Sequence, residues 1–445
     1  MRRWIIGVAI VVASTAGLTP LARRSLLPHF GSAAATSALA DIPAAHLTSG
    51  PVSSSAAAIP PLPPMAGLDL AHIGIDDTGA SAQLSDHRLA RLTVDPVLQR
   101  AAVNLLAAHK LPEAALVLID TATGHVLAYA SHLENGTARD LCVEATAPAA
   151  SVFKIITGAA LVETAGMTPD TRQCYNGGEQ RILPSDLEDD PRRDRWCSSL
   201  GGAMGRSINT VFARLALKNV KPNVLEDTAK SFGFGEPVPF EVAVQPSTLR
   251  LPPDPLGYAR TAAGFWNSTL SPMEAAYIST TLARGGEPIR PNIVSALTDP
   301  GGAVLWSAPA APTLKRAVLP ATAQALTTMM ERTVSDGTCY RAFHDAKGTA
   351  FLPGIVVAGK TGTLTDDRAH RFYTWFTGFA PSRPIPGVKT VAIAVLVVNL
   401  PTWQVKANVV ARQMLHTYFA EQKVPSVLRP PRIATATPQD DSDAD

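Results

Sequence analysis

Strand-forming segments stand at the two ends of the folded part of this chain, with helix-forming segments between them. Ala115 to Ile119 is a short apolar run, Asp120-Thr-Ala-Thr-Gly124 interrupts it, and His125 to Ala130 resumes it. This pattern predicts a hairpin, with Gly124 supplying the unusual dihedral of its turn. Three more strand candidates lie near the other end, at 353–363, 371–379 and 389–399. Helical spacing is found at 95–109, where Val97, Leu98, Ala101, Ala102, Leu105 and Leu106 share a face. Further helices are predicted at 151–165, ending near Gly166, at 210–218 and at 404–419. The order predicts an α/β fold: one five-stranded sheet with helices on both faces, and a mainly helical subdomain from the intervening chain. No internal repeat is present.

The chain has 445 residues, 46% of them hydrophobic, enough for one large domain or two modest ones. A net charge of +2 with 17% charged residues excludes a nucleic-acid binder, which needs a field of Lys and Arg to neutralise phosphates. Arg2 and Arg3 precede an uncharged run from Trp4 to Ala22, and Arg23 and Arg24 end it. At about 1.5 Å per residue this run spans roughly 28 Å, close to a bilayer core. Residues 1–25 therefore read as a membrane anchor, or as a signal segment cleaved near Ser14 and Ala16. Residues 26–67 form an Ala/Ser/Pro-rich linker with too little apolar surface to offset chain entropy. The folded domain is expected over 68–424, and 425–445 reads as a disordered acidic tail.

The 179–195 stretch holds six acidic residues and four arginines and reads as a solvated, self-neutralised surface without metal-ligand spacing. Cys174 and Cys197 flank it, and a disulfide there would brace it. Cys142 and Cys339 remain, and four cysteines allow three pairings.

Three short motifs carry chemistry. In Ser151-Val-Phe-Lys154 the two functional residues are three apart at a helix start, so the amine reaches the hydroxyl. A serine hydroxyl needs a base to become a nucleophile. Lysine serves only when neutral, and lowering its pKa from about 10.4 towards 7 costs about 4 kcal/mol. Ser207-Ile208-Asn209 follows a Gly-rich stretch, with Ser207 placed to relay a proton and Asn209 to accept from an ammonium and donate to a substrate carbonyl. Lys360-Thr361-Gly362-Thr363 ends an apolar strand. Alternation sends Lys360 and Gly362 to one face and Thr361 and Thr363 to the other. Lys360 supplies positive charge, Thr361 and Thr363 hold a carboxylate, and Gly362 allows close packing. The backbone N–H groups of Ser151 and Thr363 form a candidate oxyanion hole. Trp266 and Trp375 border the cleft or pack in the core.

The ordered set Ser-x-x-Lys, Ser-x-Asn, Lys-Thr-Gly resembles the transpeptidase domain of high-molecular-weight penicillin-binding proteins, in the serine DD-transpeptidase and β-lactamase-like superfamily. Leu92 to Gln99, Ala115 to Ala130, Ser271-Pro-Met-Glu-Ala-Ala276 with Leu282 to Gly286, and Phe372 to Pro381 resemble other segments of that domain, so the likeness spans about 85–420. The resemblance implies an antiparallel five-stranded sheet and a serine D,D-transpeptidase that needs no cofactor and no metal. It implies peptidoglycan stem peptides ending in D-Ala-D-Ala as substrate and β-lactams as covalent inhibitors. It also favours the Cys174–Cys197 bridge and a place in the cell envelope, inner-membrane anchored or secreted to the periplasm. The stretch before residue 85 is too short for a glycosyltransferase domain, which implies a separate glycosyltransferase partner. One departure stands near the cleft: 262–272 reads Ala-Ala-Gly-Phe-Trp-Asn-Ser-Thr-Leu-Ser-Pro where the family usually carries Gly-Gln-Gly. The competing readings are a D,D-carboxypeptidase and a non-catalytic β-lactam or muropeptide-binding envelope protein. A β-lactamase is disfavoured by chain length and by the absence of a Glu-x-x-x-Asn after Asn209.

Overall fold

A computed structural model of the chain describes residues 62–178 and 181–428. The N-terminal hairpin is Glu113–Asp120 followed by Val126–Leu133, with Gly124 at φ 76° in its turn. The C-terminal strands are Ala358–Asp366, Arg371–Ala380 and Val391–Asn399. All five join one antiparallel sheet, and Val391–Asn399 pairs with Glu113–Asp120 to bring the two ends of the chain together. This leaves Ala358–Asp366, the strand carrying the Lys-Thr-Gly motif, at the sheet edge. Val391–Asn399 is buried at every position. Its unbroken apolar pattern follows from having cover on both faces.

On one face lie helices Pro96–Ala107 and Ala407–Glu421, and Leu98, Leu106, Phe376, Val395 and Met414 fill that core. Asp95 caps the first of these helices by accepting from the Val97 and Leu98 N–H groups. Val97, read from its spacing as part of the apolar face, is turned outward. On the other face helix Pro272–Ala283 is pinned to the sheet: the Thr377 hydroxyl donates to the Ala275 carbonyl at 2.7 Å and lies 2.7 Å from the Ser279 hydroxyl. This second core continues into the helical section, which includes Lys154–Ala165, Leu200–Arg206, Asn209–Asn219, Pro222–Ser231 and Pro255–Ala262.

The structure differs from the sequence reading in several places. Residues 353–357 are not strand; Gly354 turns the chain at φ 77°, and pairing begins only at Ala358. The Gly-rich stretch at 201–205 is helical despite its low propensity, and its glycines let it pack closely on helix Pro320–Ser335, since a Cβ at Gly205 would sit 2.9 Å from the Arg332 backbone. A second five-stranded sheet, from Gly74–Asp76, Gly79–Gln83, Leu89–Leu92, Val294–Thr298 and Val304–Ser307, escaped the reading; its strands are short and far apart in sequence. Met65, which falls within the expected linker, packs on the core. Pro425–Leu428, which falls within the expected tail, is a helical turn with Val427 buried. The anchor or signal segment at 1–25, most of the linker and the acidic tail lie outside the described residues. Among the described residues no helix is long and apolar enough to cross a membrane.

The acidic stretch is also not merely a solvated surface. Arg214, 1% exposed, reaches into it from helix Asn209–Asn219 and donates from two nitrogens to Asp194 at 2.6 and 3.0 Å. The same guanidinium donates to the Asp186 and Cys174 carbonyls, and hydrogen bonding to it holds the Asp194 carboxyl below the usual carboxylate range. Cys174 and Cys197 are joined in a disulfide across the ribbon Arg172–Tyr175 and Trp196–Ser199. Cys142 and Cys339 are free and buried. Removing one partner of a buried pair strands the other charge, so Arg214→Met should lower unfolding free energy by about 3 kcal/mol. Urea unfolding measures this, and a change below about 1 kcal/mol would mean that the pair holds nothing together.

Candidate active site

Ser151 does not cap its helix as a residue at a helix start ordinarily would. It lies in a 3-10 turn, Ala150–Phe153, that runs directly into helix Lys154–Ala165. Four contacts fix this turn. The Trp375 indole donates to the Pro148 carbonyl at 2.9 Å, and Ala147–Pro148 pairs with Thr269–Leu270. Gly362 packs against it, since a Cβ there would lie 3.2 Å from the Ala150 Cβ. Gly264, at φ 81°, lies against its backbone, and a Cβ there would fall 2.4 Å from the Ala150 carbonyl oxygen and 2.9 Å from the Ser151 Cα. Ala150 itself has φ 50°, a left-handed conformation that costs a non-glycine residue about 1 kcal/mol and persists only where surroundings enforce it.

The Lys154 amine is fully buried. It lies 2.8 Å from the Ser151 Oγ, 2.7 Å from the Asn209 Oδ1 and within hydrogen-bond reach of the Ala263 carbonyl. Among the described residues no carboxylate is hydrogen-bonded to this amine. Burial, with the Lys360 charge nearby, drives the Lys154 pKa well below the ordinary lysine value. A neutral amine has two N–H donors and one lone pair. The Asn209 and Ala263 oxygens take the two donors, and the lone pair then accepts from the Ser151 O–H.

Lys360 is the second buried lysine. Its Nζ donates to the Ser207 Oγ at 3.0 Å and to the Thr361 carbonyl at 2.7 Å, and burial lowers its pKa to about 7. Ser207 stands at φ 58° between helices Leu200–Arg206 and Asn209–Asn219, which turns its hydroxyl toward Lys360 while Asn209 meets Lys154. Thr361 and Thr363 emerge on the opposite face of the edge strand, where the Thr361 hydroxyl lies 2.6 Å from that of Thr338. Ser151, Ser207, Asn209, Thr361, Gly362 and Thr363 all line one cavity of about 360 Å³. Trp375 lines it too but is buried, whereas Trp266 is 44% exposed.

The penicillin binding protein transpeptidase domain family matches residues 114–415, which include every one of these groups. The chain belongs to that family. A peptidoglycan D,D-transpeptidase of Mycobacterium tuberculosis, PbpA, is 33% identical over 267 residues, which cover 58% of this chain and 51% of the relative. The chain thus matches about half the length of the curated relative. Among solved structures, the D,D-transpeptidase domain of a peptidoglycan glycosyltransferase from Eggerthella lenta superposes with a TM-score of 0.62 at 25% identity, covering 75% of this chain and 83% of that one. The penicillin G acyl-enzyme complex of M. tuberculosis penicillin-binding protein A superposes with a TM-score of 0.59 at 24% identity, covering 74% of this chain and 80% of that one. The fold is therefore that of the β-lactamase and transpeptidase superfamily.

Within this transpeptidase domain the structure brings together all eight residues singled out by the three motifs. It adds groups that the motifs do not announce. The Ala263 carbonyl is a backbone acceptor with no side-chain signature, although it sits in the 262–272 stretch that departs from the family pattern. Thr338, Lys406 and Asn408 come to the cavity from segments that carry no recognisable motif.

The Lys360 environment has a consequence for stability. Its folded pKa, about 7, lies below the unfolded value, so between the two the unfolded chain binds more protons and stability rises with pH. The stability difference between wild type and Lys360→Met should therefore shift in favour of wild type from pH 7 to pH 9. Denaturant midpoints at the two pH values measure it, and a pH-independent difference would show that Lys360 titrates normally.

Proposed function

We propose that this chain is a peptidoglycan D,D-transpeptidase that works through a serine acyl-enzyme. The observation that carries the proposal is the buried Lys154 amine 2.8 Å from the Ser151 hydroxyl. The Ser151 Oγ attacks the carbonyl carbon of the penultimate D-alanine of a stem peptide, and Lys154 takes the hydroxyl proton. The backbone N–H groups of Ser151 and Thr363 stabilise the oxyanion. As the C–N bond breaks, Ser207 gives a proton to the departing D-alanine nitrogen. Lys360, poised near neutrality, replenishes Ser207. Thr361 and Thr363 hold the substrate's terminal carboxylate, with the Lys360 charge behind them. An amine of a second stem peptide then attacks the acyl-enzyme, forms the cross-link and frees Ser151.

β-Lactams would acylate the same serine; the similar M. tuberculosis protein forms an acyl-enzyme complex with penicillin G. Such a substrate lies outside the cytoplasmic membrane, so the catalytic domain belongs in the periplasm or its equivalent. Residues 1–25 would anchor or export it, residues 26–67 would tether it, and a separate glycosyltransferase would supply the glycan strands.

Labelling with fluorescent penicillin should give one covalent adduct in wild type and none in Ser151→Ala. Lys154→Met should slow acylation about 10²- to 10⁴-fold, the usual contribution of a general base. A folded wild type that takes no label would overturn the acyl-enzyme reading. Incubation with a stem-peptide donor and an amine acceptor should release D-alanine and yield a cross-linked dimer. Release of D-alanine without dimer would make the protein a carboxypeptidase.

A further inference from the structure

The cavity holding Ser151 has a second wall that the three motifs do not supply. It is formed where helix Ala407–Glu421 begins, and it brings Lys406 and Asn408 to the same space as Thr361 and Thr363. Lys406 is exposed in that cavity, and no ion pair engages it among the described residues. Its Nζ stands 5.0 Å over the Trp403 ring, and that ring in turn lies 5.0 Å from Phe372, on the strand paired with the Lys-Thr-Gly strand. This aromatic shelf limits the positions of an otherwise flexible ammonium. No Asp or Glu among the described residues lines the cavity, and the positive end of the helix adds to its preference for an anion.

Lys360 is poorly placed to meet an anion there. It is fully buried, and its Nζ is engaged by the Ser207 hydroxyl and the Thr361 carbonyl. Strand alternation sends its side chain to the face opposite the two threonine hydroxyls. The helix-start wall also contains an amide with unmet hydrogen-bonding capacity. Asn408 is 8% exposed, donates to the Cys339 sulfur at 3.6 Å, and has a side-chain oxygen without a partner among the described residues. Turned about its last side-chain bond, the amide would accept from the Cys339 S–H and present its N–H groups to the cavity.

We infer that Lys406 is the counter-charge for the terminal carboxylate of the donor substrate, and so a specificity-determining residue of this cleft. The inference rests on the acyl-enzyme reading above. The threonine hydroxyls orient the carboxylate, and the ammonium on its aromatic shelf supplies the formal positive charge. β-Lactams carry an equivalent carboxylate, so they report on the same contact.

The test compares benzylpenicillin with its methyl ester, which keeps the reactive ring and removes the charge. Second-order acylation rates are measured for the full chain, for Lys406→Met and for Lys406→Arg, each checked for an unchanged thermal midpoint. Lys406→Met should slow acylation by benzylpenicillin about tenfold, the scale of a hydrogen bond to a charged group. The ester rate should change less than about twofold, and Lys406→Arg should retain benzylpenicillin acylation within about threefold. Added salt should narrow the gap between wild type and Lys406→Met for benzylpenicillin only. Equal slowing with both compounds, or no slowing with benzylpenicillin, would overturn the assignment of Lys406. A wild type acylated by neither compound would overturn the acyl-enzyme reading and this inference with it.

Discussion

Burying the Lys154 amine, with no carboxylate bonded to it among the described residues, is the constraint on which the site depends. Among the described residues, a charged ammonium in that position would be held by oxygens of a serine, an asparagine and a backbone carbonyl, next to a second buried lysine. Desolvation disfavours that state, and the neutral amine is what remains. Its two donors are taken by oxygens fixed in separate segments, so its lone pair has one place to point. The chemistry of Ser151 is thus set by where the protein excludes water and negative charge, as much as by the serine itself.

The fold explains how such a group is assembled. Ser151 and Lys154 begin one helix, Asn209 begins another, Ala263 ends a third, and Lys360 lies on the sheet edge. These segments meet because the last strand pairs with the first hairpin and closes the sheet around the helical section. Two glycines then permit the contact: Gly362 and Gly264 lie against the turn that bears the nucleophile, where any Cβ would push it away. The left-handed Ala150 and Ser207 are the local strain that this packing sustains.

Much of this arrangement was legible in the chain. Val391–Asn399 and Glu113–Asp120 are visible as apolar runs because burial on both faces leaves little polar alternation to blur them, and the error in the more mixed edge strand lies at its start, 353–357. The three motifs carried the reacting side chains because spacing along a helix or a strand translates directly into facing direction. What stayed hidden depends on tertiary contact. Arg214 looks like any helical arginine until Asp194 closes on it from a loop. The Ala263 carbonyl has no side-chain identity, and Lys406 gains meaning only when its helix start is packed beside the Lys-Thr-Gly strand. The second sheet joins segments near 74–92 and 294–307, a separation that short-range pattern does not bridge.

The most direct test of the account is the protonation state of one nitrogen. With lysine ¹³C-labelled at Cε, and the Lys154 resonance assigned by its loss in Lys154→Arg, titration of the folded protein reads the amine itself. The account predicts a midpoint well below the ordinary lysine value of about 10.4. A Lys154 signal that titrates together with the surface lysines would contradict it.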